Sequence, residues 1–245
     1  MGLLVGIDGK SLAPPRTGVG RYVEGLLSGC ASIAADDAEI EVLRPRVARH
    51  TLPWVLWDLQ RASRRGLSVL HLPFYYGPLA PRCPTVVVVH DLLAIEHPEW
   101  FPHHPASPIR SLMPRTVRRA DGIVTFSASV AAAVVARFGV EPGRVAVIPH
   151  GVDRSRFAPP SESAVAAVRS RHALERPFLL QLGALEVRRG VDLAIEAIAE
   201  VRTRFGALDL VLAGAVRAPV PVLRGAPPWV RRLGRVADED LPALL

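Results

Sequence analysis

Residues 85–92 read Thr-Val-Val-Val-Val-His-Asp-Leu, an unbroken apolar run that ends in a histidine and an aspartate. A strand that is apolar on both sides is typical of a parallel sheet with helices on both faces. Similar runs occur at residues 3–7, 39–43, 67–72, 122–126 and 144–148, and helical patterns occur at residues 18–34, 53–65, 108–119 and 128–138. The alternation predicts an α/β fold, a doubly wound Rossmann-like parallel sheet over residues 1–155.

The pattern stops after this domain and then restarts. We predict a linker at residues 156–172. The beginning of this segment contains prolines and serines and shows no strand pattern. Residues 177–182 and 208–213 predict two further strands, with a helix at 191–204 between them and another opening at 238–245. Residues 173–245 therefore predict a second, incomplete Rossmann-like domain.

Composition excludes several classes of protein. The chain has 245 residues, of which 49% are hydrophobic and 22% are charged, so disorder is not expected. No apolar run reaches the roughly 18 residues that a membrane-spanning helix needs. Cys30 and Cys83 are the only cysteines, which excludes a disulfide framework and most cysteine-based zinc sites. We expect a cytoplasmic protein.

The net charge is +7, and Lys10 is the only lysine among 30 basic residues. Clusters of arginines fall on predicted helices, at Arg61, Arg64 and Arg65, at Arg115, Arg118 and Arg119, and at Arg231 and Arg232. We interpret them as solvated helix faces rather than as a nucleic-acid surface, since three tyrosines and seven phenylalanines offer few stacking platforms. We expect no nucleic-acid partner, and the basic charge leaves peripheral contact with the inner face of an anionic membrane open.

The first candidate site follows the first predicted strand. Residues 8–10 read Asp-Gly-Lys, and residues 17–22 read Thr-Gly-Val-Gly-Arg-Tyr at the start of a helix. Glycines permit a sharp turn, and the unpaired N–H groups of the helix attract an anion. The spacing is not G-x-G-x-x-G, which disfavours a nicotinamide enzyme. A plain strand-to-helix turn is the alternative.

The second candidate site is His90 with Asp91, at the carboxyl end of the apolar strand. In open α/β sheets this end faces the ligand crevice, and a histidine there can bind a sugar hydroxyl or a phosphate oxygen. His71, just before Leu72 and Pro73, occupies an equivalent place. The alternative is that His90 caps the strand and Asp91 caps a turn.

The third candidate site is residues 183–190, Gly-Ala-Leu-Glu-Val-Arg-Arg-Gly, between a strand and a helix. Arg188 and Arg189 oppose the dipole of the following helix, and this local conflict indicates an anionic ligand. A diphosphate would be held by arginine forks and backbone N–H groups. The alternative is a solvent-facing loop.

Two groups of residues have the composition of a metal site. His97, His103 and His104 lie in a proline-rich segment, and adjacent histidines rarely bind one ion. Residues 238–240 read Asp-Glu-Asp, where acidic residues favour a helix start. We predict no metal site.

Taken together, these stretches resemble the N-terminal part of a GT-B glycosyltransferase of family 4. The matching stretches are residues 7–8, 17–22, 70–73, 89–92, 119–123 leading to Ser127, 147–153 with Phe157, 183–190, 233–236 and 238–241. The resemblance implies two Rossmann-like domains facing a cleft, the first for the acceptor and the second for a nucleotide-sugar donor. It also implies hexosyl transfer with retention, from a donor such as a GDP- or UDP-hexose to a glycan, lipid or small molecule, with no metal and no cofactor.

The resemblance assigns residues to three roles. Catalytic roles fall to His90 and Asp91. Binding of the donor falls to Gly18, Val19, Gly20, Arg188 and Arg189. The acceptor side receives Asp8, Tyr22 and His71.

This chain departs from the family pattern in three places. Arg189 stands where the family often has lysine, and His150 stands where asparagine is usual. The acidic E-x7-E segment that holds the donor in the family does not occur before residue 245, so we expect a fragment with an incomplete donor pocket. The alternative function is a non-catalytic module that binds a sugar nucleotide or phosphate, or a subunit that pairs with another chain.

Overall fold

The computed structural model describes residues 2–14, 17–33, 38–45, 51–101, 108–217 and 219–245. The chain forms two compact units, Met1–Gly151 and Val152–Leu245. No helix in these ranges is both long enough and apolar enough to cross a membrane.

The first unit is built on a six-stranded parallel sheet in the order β2-β1-β3-β4-β5-β6. The strands are β1 (Leu3–Asp8), β2 (Ala38–Leu43), β3 (Val69–Leu72), β4 (Thr85–Val89), β5 (Gly122–Thr125) and β6 (Val145–Val147). The prediction of an α/β parallel sheet is therefore confirmed. β4 is central and its Val87, Val88 and Val89 are fully buried, which explains why this strand is apolar on both sides.

Helices connect these strands. They are α1 (Gly18–Ile33), α2 (three consecutive pieces, Thr51–Pro53, Trp54–Leu59 and Gln60–Ala62), α3 (Leu93–Glu96), α4 (Pro108–Arg119) and α5 (Ala128–Phe138). The middle piece of α2 is a π-helix. Ser127 begins α5 as its N-cap, since its side chain accepts a hydrogen bond from the backbone N–H of Val130 at 3.3 Å.

The second unit contains a three-stranded parallel sheet in the order β7-β8-β9. Its elements are α6 (Glu162–Arg171), β7 (Phe178–Leu182), α7 (Val191–Phe205), β8 (Asp209–Ala213), β9 (Val230–Gly234) and α8 (Leu241–Leu244). Alternate residues of β8 pack into different hydrophobic clusters. Val211 belongs to one cluster and Leu212 to the other, and both are fully buried. Both faces of the sheet are therefore covered.

Two sequence predictions for this unit differ from the structure. The segment assigned to a linker, residues 156–172, contains α6, whose Val168 packs into a core cluster. The third strand, β9, was not predicted, and its Arg231 and Arg232 were wrongly placed on a helix. Arginines are tolerated on β9 because it lies at the edge of the sheet. The domain boundaries themselves stay a prediction.

Arg118 and Arg119 are exposed, as the sequence predicted, and they also donate hydrogen bonds to backbone carbonyls. Arg118 donates to the carbonyl of Phe138 at 3.2 Å, and Arg119 donates to the carbonyl of Leu79 at 2.6 Å. Arg144 donates to the carbonyl of Arg118 at 3.0 Å. These side chains satisfy carbonyl groups at helix ends and in loops, which is a common use of arginine near a helix C-terminus.

Candidate active site

The carboxyl ends of the six strands of the first unit meet at one edge of the sheet. β1 lies between β2 and β3, so the strand order reverses beside β1, and ligands of such folds bind at this point. His71 lies on β3 near its end, while His90, Phe126 and His150 follow β4, β5 and β6 within a few residues. α1, which follows β1, contributes Tyr22.

These five side chains form one group, called here the aromatic–histidine cluster: Tyr22, His71, His90, Phe126 and His150. The Tyr22 hydroxyl lies 3.2 Å from His71 Nε2, within hydrogen-bonding distance. The Tyr22 ring meets His90 edge-on at 5.8 Å and Phe126 at 5.4 Å between centroids. His150 stacks on Phe126 at 3.5 Å with an interplanar angle of 23°. The structure thus brings together three predicted residues, Tyr22, His71 and His90.

A backbone carbonyl fixes the orientation of His90. Its Nε2 lies 2.9 Å from the carbonyl oxygen of Pro73, which can only accept, so Nε2 carries the proton. Burial is the main cause that lowers the pKa of His90, which makes the neutral form dominant at pH 7. Its Nδ1 is then a hydrogen-bond acceptor. The ring of Tyr75 packs edge-on against His90 at 5.9 Å.

Two neighbouring groups, His71 and Tyr22, are also neutral at pH 7. Burial lowers the pKa of His71 to about 4. Burial raises the pKa of Tyr22 to about 12. Tyr22, His71 and His90 therefore present polar atoms without a positive charge.

The two carboxylates proposed from the sequence have structural contacts. Asp8 is 5% exposed and accepts hydrogen bonds from the backbone N–H of Lys10 and from Trp54 Nε1, both at 2.9 Å. Burial raises its pKa, and these hydrogen bonds oppose the shift. Asp91 accepts from the backbone N–H of Leu93 at 3.1 Å and so caps the turn into α3. Asp91 also lies close enough to His90 for its charge to act on the pKa of that ring.

Close packing at the start of α1 explains why residue 20 is a glycine. A Cβ on Gly20 would lie 2.4 Å from the carbonyl oxygen of Ser11, so only glycine fits there. The Thr17 hydroxyl accepts from the N–H of Gly20 at 3.2 Å. Gly18 is exposed, with open space where its Cβ would be. The first-turn N–H groups of Gly18 and Val19 are therefore the part of this motif that can meet a ligand.

The corresponding edge of the second unit is made from backbone and arginine. A Cβ on Gly214, after β8, would lie 1.7 Å from the carbonyl oxygen of Gly183, after β7. Gly183 has φ +126°, and a Cβ there would lie 3.3 Å from the Arg189 guanidinium. Both glycines are thus required for the two strand ends and Arg189 to approach each other.

The two predicted arginines occupy a 3-10 turn, Val187–Arg189, just before α7. Arg188 is half-buried, and its Nε donates to Glu186 Oε2 at 2.6 Å. Arg189 is exposed, and its carbonyl accepts from Gln181 Nε2 at 2.9 Å. The structure therefore places both arginines at the carboxyl end of β7, in different electrostatic settings.

The histidines considered for a metal site have other partners where the structure describes them. His97 contacts Glu99 at 3.0 Å and stacks on Trp100, while His103 and His104 lie outside the described residues. Within the described ranges, no group of three histidine, cysteine or acidic side chains is arranged to hold a metal ion.

The acidic residues before α8 form ion pairs, which the sequence did not indicate. Asp238 pairs with Arg156 at 3.7 Å. Asp240 is the N-cap residue of α8, but its carboxylate binds Arg171 and His172 rather than a backbone N–H. The predicted capping role is therefore wrong for the side chain of Asp240.

Sequence reasoning missed Phe126 and Tyr75, and it noted His150 only as a departure from a pattern. Each follows a strand of the same sheet within a few residues. That position at the carboxyl end of a parallel strand is the signal that could have identified them.

Comparison with known proteins assigns part of the chain to a family. The family model described as Glycosyltransferase Family 4 matches residues 18–156. A glycogen synthase of Mycobacterium tuberculosis is 29% identical over 131 residues, which cover 54% of this chain and 30% of that protein. A GDP-mannose-dependent alpha-(1-6)-phosphatidylinositol monomannoside mannosyltransferase of the same organism is 31% identical over 144 residues, which cover 56% of this chain and 37% of that protein. The chain thus spans about a third of the length of these curated relatives.

Solved structures show the same fold. The Anabaena protein HepE, crystallised in complex with UDP and glucose, matches with a TM-score of 0.65 at 18% identity. The match covers 100% of this chain and 72% of that one. At this identity the likeness concerns the fold, a GT-B arrangement of Rossmann-like sheets.

Proposed function

Because this chain belongs to glycosyltransferase family 4, we propose that it transfers a hexose from a nucleotide-sugar donor to a hydroxyl group of a glycan, lipid or small-molecule acceptor. Two names among the similar proteins support the donor class. One relative is described as GDP-mannose-dependent, and HepE was crystallised with UDP and glucose. We therefore propose a GDP- or UDP-hexose as the donor.

The observation that carries this proposal is the arginine-bearing edge of the second sheet. Arg189 is exposed, and its guanidinium lies beside the backbone of Gly183 at the end of β7. We propose that its guanidinium binds the donor diphosphate through two parallel hydrogen bonds. Arg188 is the second proposed ligand, and it shares its charge with Glu186. Its contribution should therefore be smaller.

The first unit supplies the remaining proposed roles. His90 Nδ1 accepts a hydrogen bond from a hydroxyl of the sugar that is transferred, since Nε2 is committed to Pro73. The first-turn N–H groups of Gly18 and Val19 are proposed to bind an anionic group of the donor. Tyr22 and His71 bind on the acceptor side. Gly20 lets α1 start close to Ser11, while Asp91 and Asp8 hold the loops that carry these groups.

The reaction breaks the bond between the anomeric carbon and the diphosphate oxygen and joins that carbon to the acceptor oxygen. The nucleoside diphosphate leaves with both bonding electrons, and the acceptor hydroxyl loses its proton. Negative charge grows on the leaving group, so a positive group already in position lowers the barrier. We propose that arginines supply this charge without a metal and a cofactor, and that the anomeric configuration is retained.

Turnover of UDP-glucose and GDP-mannose, measured as release of nucleoside diphosphate, tests this function. We expect Arg189→Ala to lower turnover about 100-fold, because it removes charge stabilisation of the leaving group. Arg188→Ala should lower it less. Arg204 is an exposed arginine at the end of α7, and Arg204→Ala is the matched control. This variant should leave turnover unchanged.

The proposal also predicts insensitivity to metal removal. Turnover should persist in EDTA, and the product should keep the anomeric configuration of the donor. Equal turnover in Arg189→Ala and the unmodified chain would contradict the diphosphate role. Binding of a nucleotide sugar without turnover would instead support a non-catalytic binding module.

A further inference from the structure

All three tyrosines of the chain lie near the carboxyl edge of the first sheet, and they differ in their contacts. Tyr22 lies on α1, and Tyr75 and Tyr76 follow β3. Tyr75 belongs to the buried core of this unit, and Tyr76 packs against that core. Tyr22 is half-buried and contacts the rings of His90, Phe126 and His150, so it belongs to the cluster at this edge.

The outer part of the aromatic–histidine cluster is a stacked pair. The rings of Phe126 and His150 lie 3.5 Å apart, so each ring covers one face of the other. His150 is nevertheless exposed, so the stacked pair is accessible from solvent. Tyr22 stands at a steep angle to this pair, 72° from His150 with 6.0 Å between centroids. The stacked rings of Phe126 and His150 form a flat surface, called here the Phe126–His150 platform. The Tyr22 ring borders this platform on one side.

The cluster lacks the groups that bind a phosphate. The polar contacts of the cluster are made by neutral groups, since Tyr22 lies within hydrogen-bonding distance of His71 and His90 binds the carbonyl of Pro73. Tyr22, His71 and His90 are neutral at pH 7, and Asp91 adds negative charge beside His90. An anionic acceptor would lose its hydration here without gaining a cation.

We propose, building on the function above, that the Phe126–His150 platform binds the pyranose ring of an uncharged glycosyl acceptor. One face of a pyranose carries C–H groups, which pack on the face of an aromatic ring and are drawn to its negative quadrupole. The hydroxyl groups around the rim of the sugar find the polar atoms of Tyr22 and His71. The acceptor is thus a neutral saccharide rather than a phosphorylated polyol.

Saturation-transfer NMR on the full 245-residue chain tests the assignment with four uncharged disaccharides: maltose, cellobiose, lactose and mannobiose. We expect at least one to bind, with transfer strongest to the C–H protons of one ring face. Maltose 1-phosphate should bind more weakly than maltose. His150→Ala should weaken binding about tenfold, the value of one aromatic contact. His150→Phe should retain binding, since it keeps the platform, and this separates stacking from hydrogen bonding.

Phe126→Ala should weaken binding similarly, and His150 substitutions keep the test valid if that variant fails to fold, because His150 is exposed. Phe205→Ala, an exposed aromatic residue of the second unit, is the control and should bind as the unmodified chain does. The assignment is overturned if none of the disaccharides binds, if maltose 1-phosphate binds more tightly, or if His150→Ala binds equally well. UDP titrated into the same samples reports on the donor separately. UDP binding without saccharide binding removes only the acceptor assignment, and the reverse result removes only the donor proposal.

Discussion

The two units present opposite chemistry at the same place in the fold. At the carboxyl edge of the first sheet, the side chains are aromatic rings and histidines, and burial lowers the pKa of His71 and of His90. At the carboxyl edge of the second sheet, glycines bring two strand ends together and an exposed arginine lies beside them. One edge is suited to an uncharged ring and the other to an anion.

Under the proposed function, this difference divides the transfer reaction between the two edges. A parallel sheet delivers the residues after its strands to one edge, whatever their chemistry. Aromatic rings there favour the apolar face of a sugar, whereas guanidinium and backbone N–H groups favour phosphate. The fold fixes the location, and a few residues after each strand decide what is bound.

The largest effect is expected from a substitution at the carboxyl edge of the second sheet. Gly214→Ala should destabilise the second unit by about 3 kcal/mol, because its Cβ would overlap the carbonyl of Gly183 and the backbone must move. Hydrogen exchange of the Leu212 amide in β8 should accelerate, while that of Val88 in β4 should not. Gly25→Ala in α1, where the Cβ meets open space, is the control and should be neutral or slightly stabilising. Unchanged exchange in β8 would mean that the strand ends do not approach as described.

Acid should lower the free energy of unfolding of the first unit, because His71 at its carboxyl edge becomes protonated. The folded pKa of His71, about 4, lies below its ordinary value of 6.5, so the unfolded chain binds more protons between these pH values. The contribution of His71 to the free energy of unfolding is therefore complete above pH 6.5. This contribution is lost as the pH falls toward 4. We expect a loss of about 2 kcal/mol after discounting for partial exposure.

Urea unfolding of the first unit across this pH range measures that loss. His71→Asn should flatten the pH dependence, whereas His97→Asn, a substitution on the surface, should not. A pH dependence that is the same in His71→Asn and in the unmodified chain would show that His71 is not the group responsible.

A smaller loss of stability is expected when the hydrogen bond between Trp54 and Asp8 is removed. Trp54→Phe keeps the buried ring but removes the N–H that Asp8 accepts, so a buried carboxyl group loses a donor. We expect a cost of about 1.5 kcal/mol in thermal or urea unfolding. Trp57→Phe, three residues later in α2 and 71% exposed, should cost little and serves as the control. Equal stability of the two variants would remove the proposed structural role of the Asp8–Trp54 hydrogen bond.

The sequence predicts those features that local patterns encode. The strands of the first sheet are visible because they are apolar on both sides, as in β4. The position of Arg188 and Arg189 is visible because two cations before a helix conflict with its dipole. β9 was missed because edge position lets Arg231 and Arg232 interrupt the apolar run.

Features that arise from contacts distant in the sequence were not predictable. The pairing of His150 with Phe126 depends on the adjacency of β5 and β6. The different settings of Arg188 and Arg189 depend on which one reaches Glu186. The hydrogen bond that Trp54 donates to Asp8 joins residues 46 positions apart, and the acceptor-side role of Asp8 stays a prediction.

The central claim is that the arginine edge of the second unit receives the diphosphate of a nucleotide sugar. The most direct measurement is a titration of the isotopically labelled chain with UDP and with GDP, followed by backbone amide chemical shifts. The account predicts shifts concentrated at residues 183–190 and at Gly214, and their loss in Arg189→Ala. Shifts confined to other parts of the chain, or shifts that persist in Arg189→Ala, would contradict it.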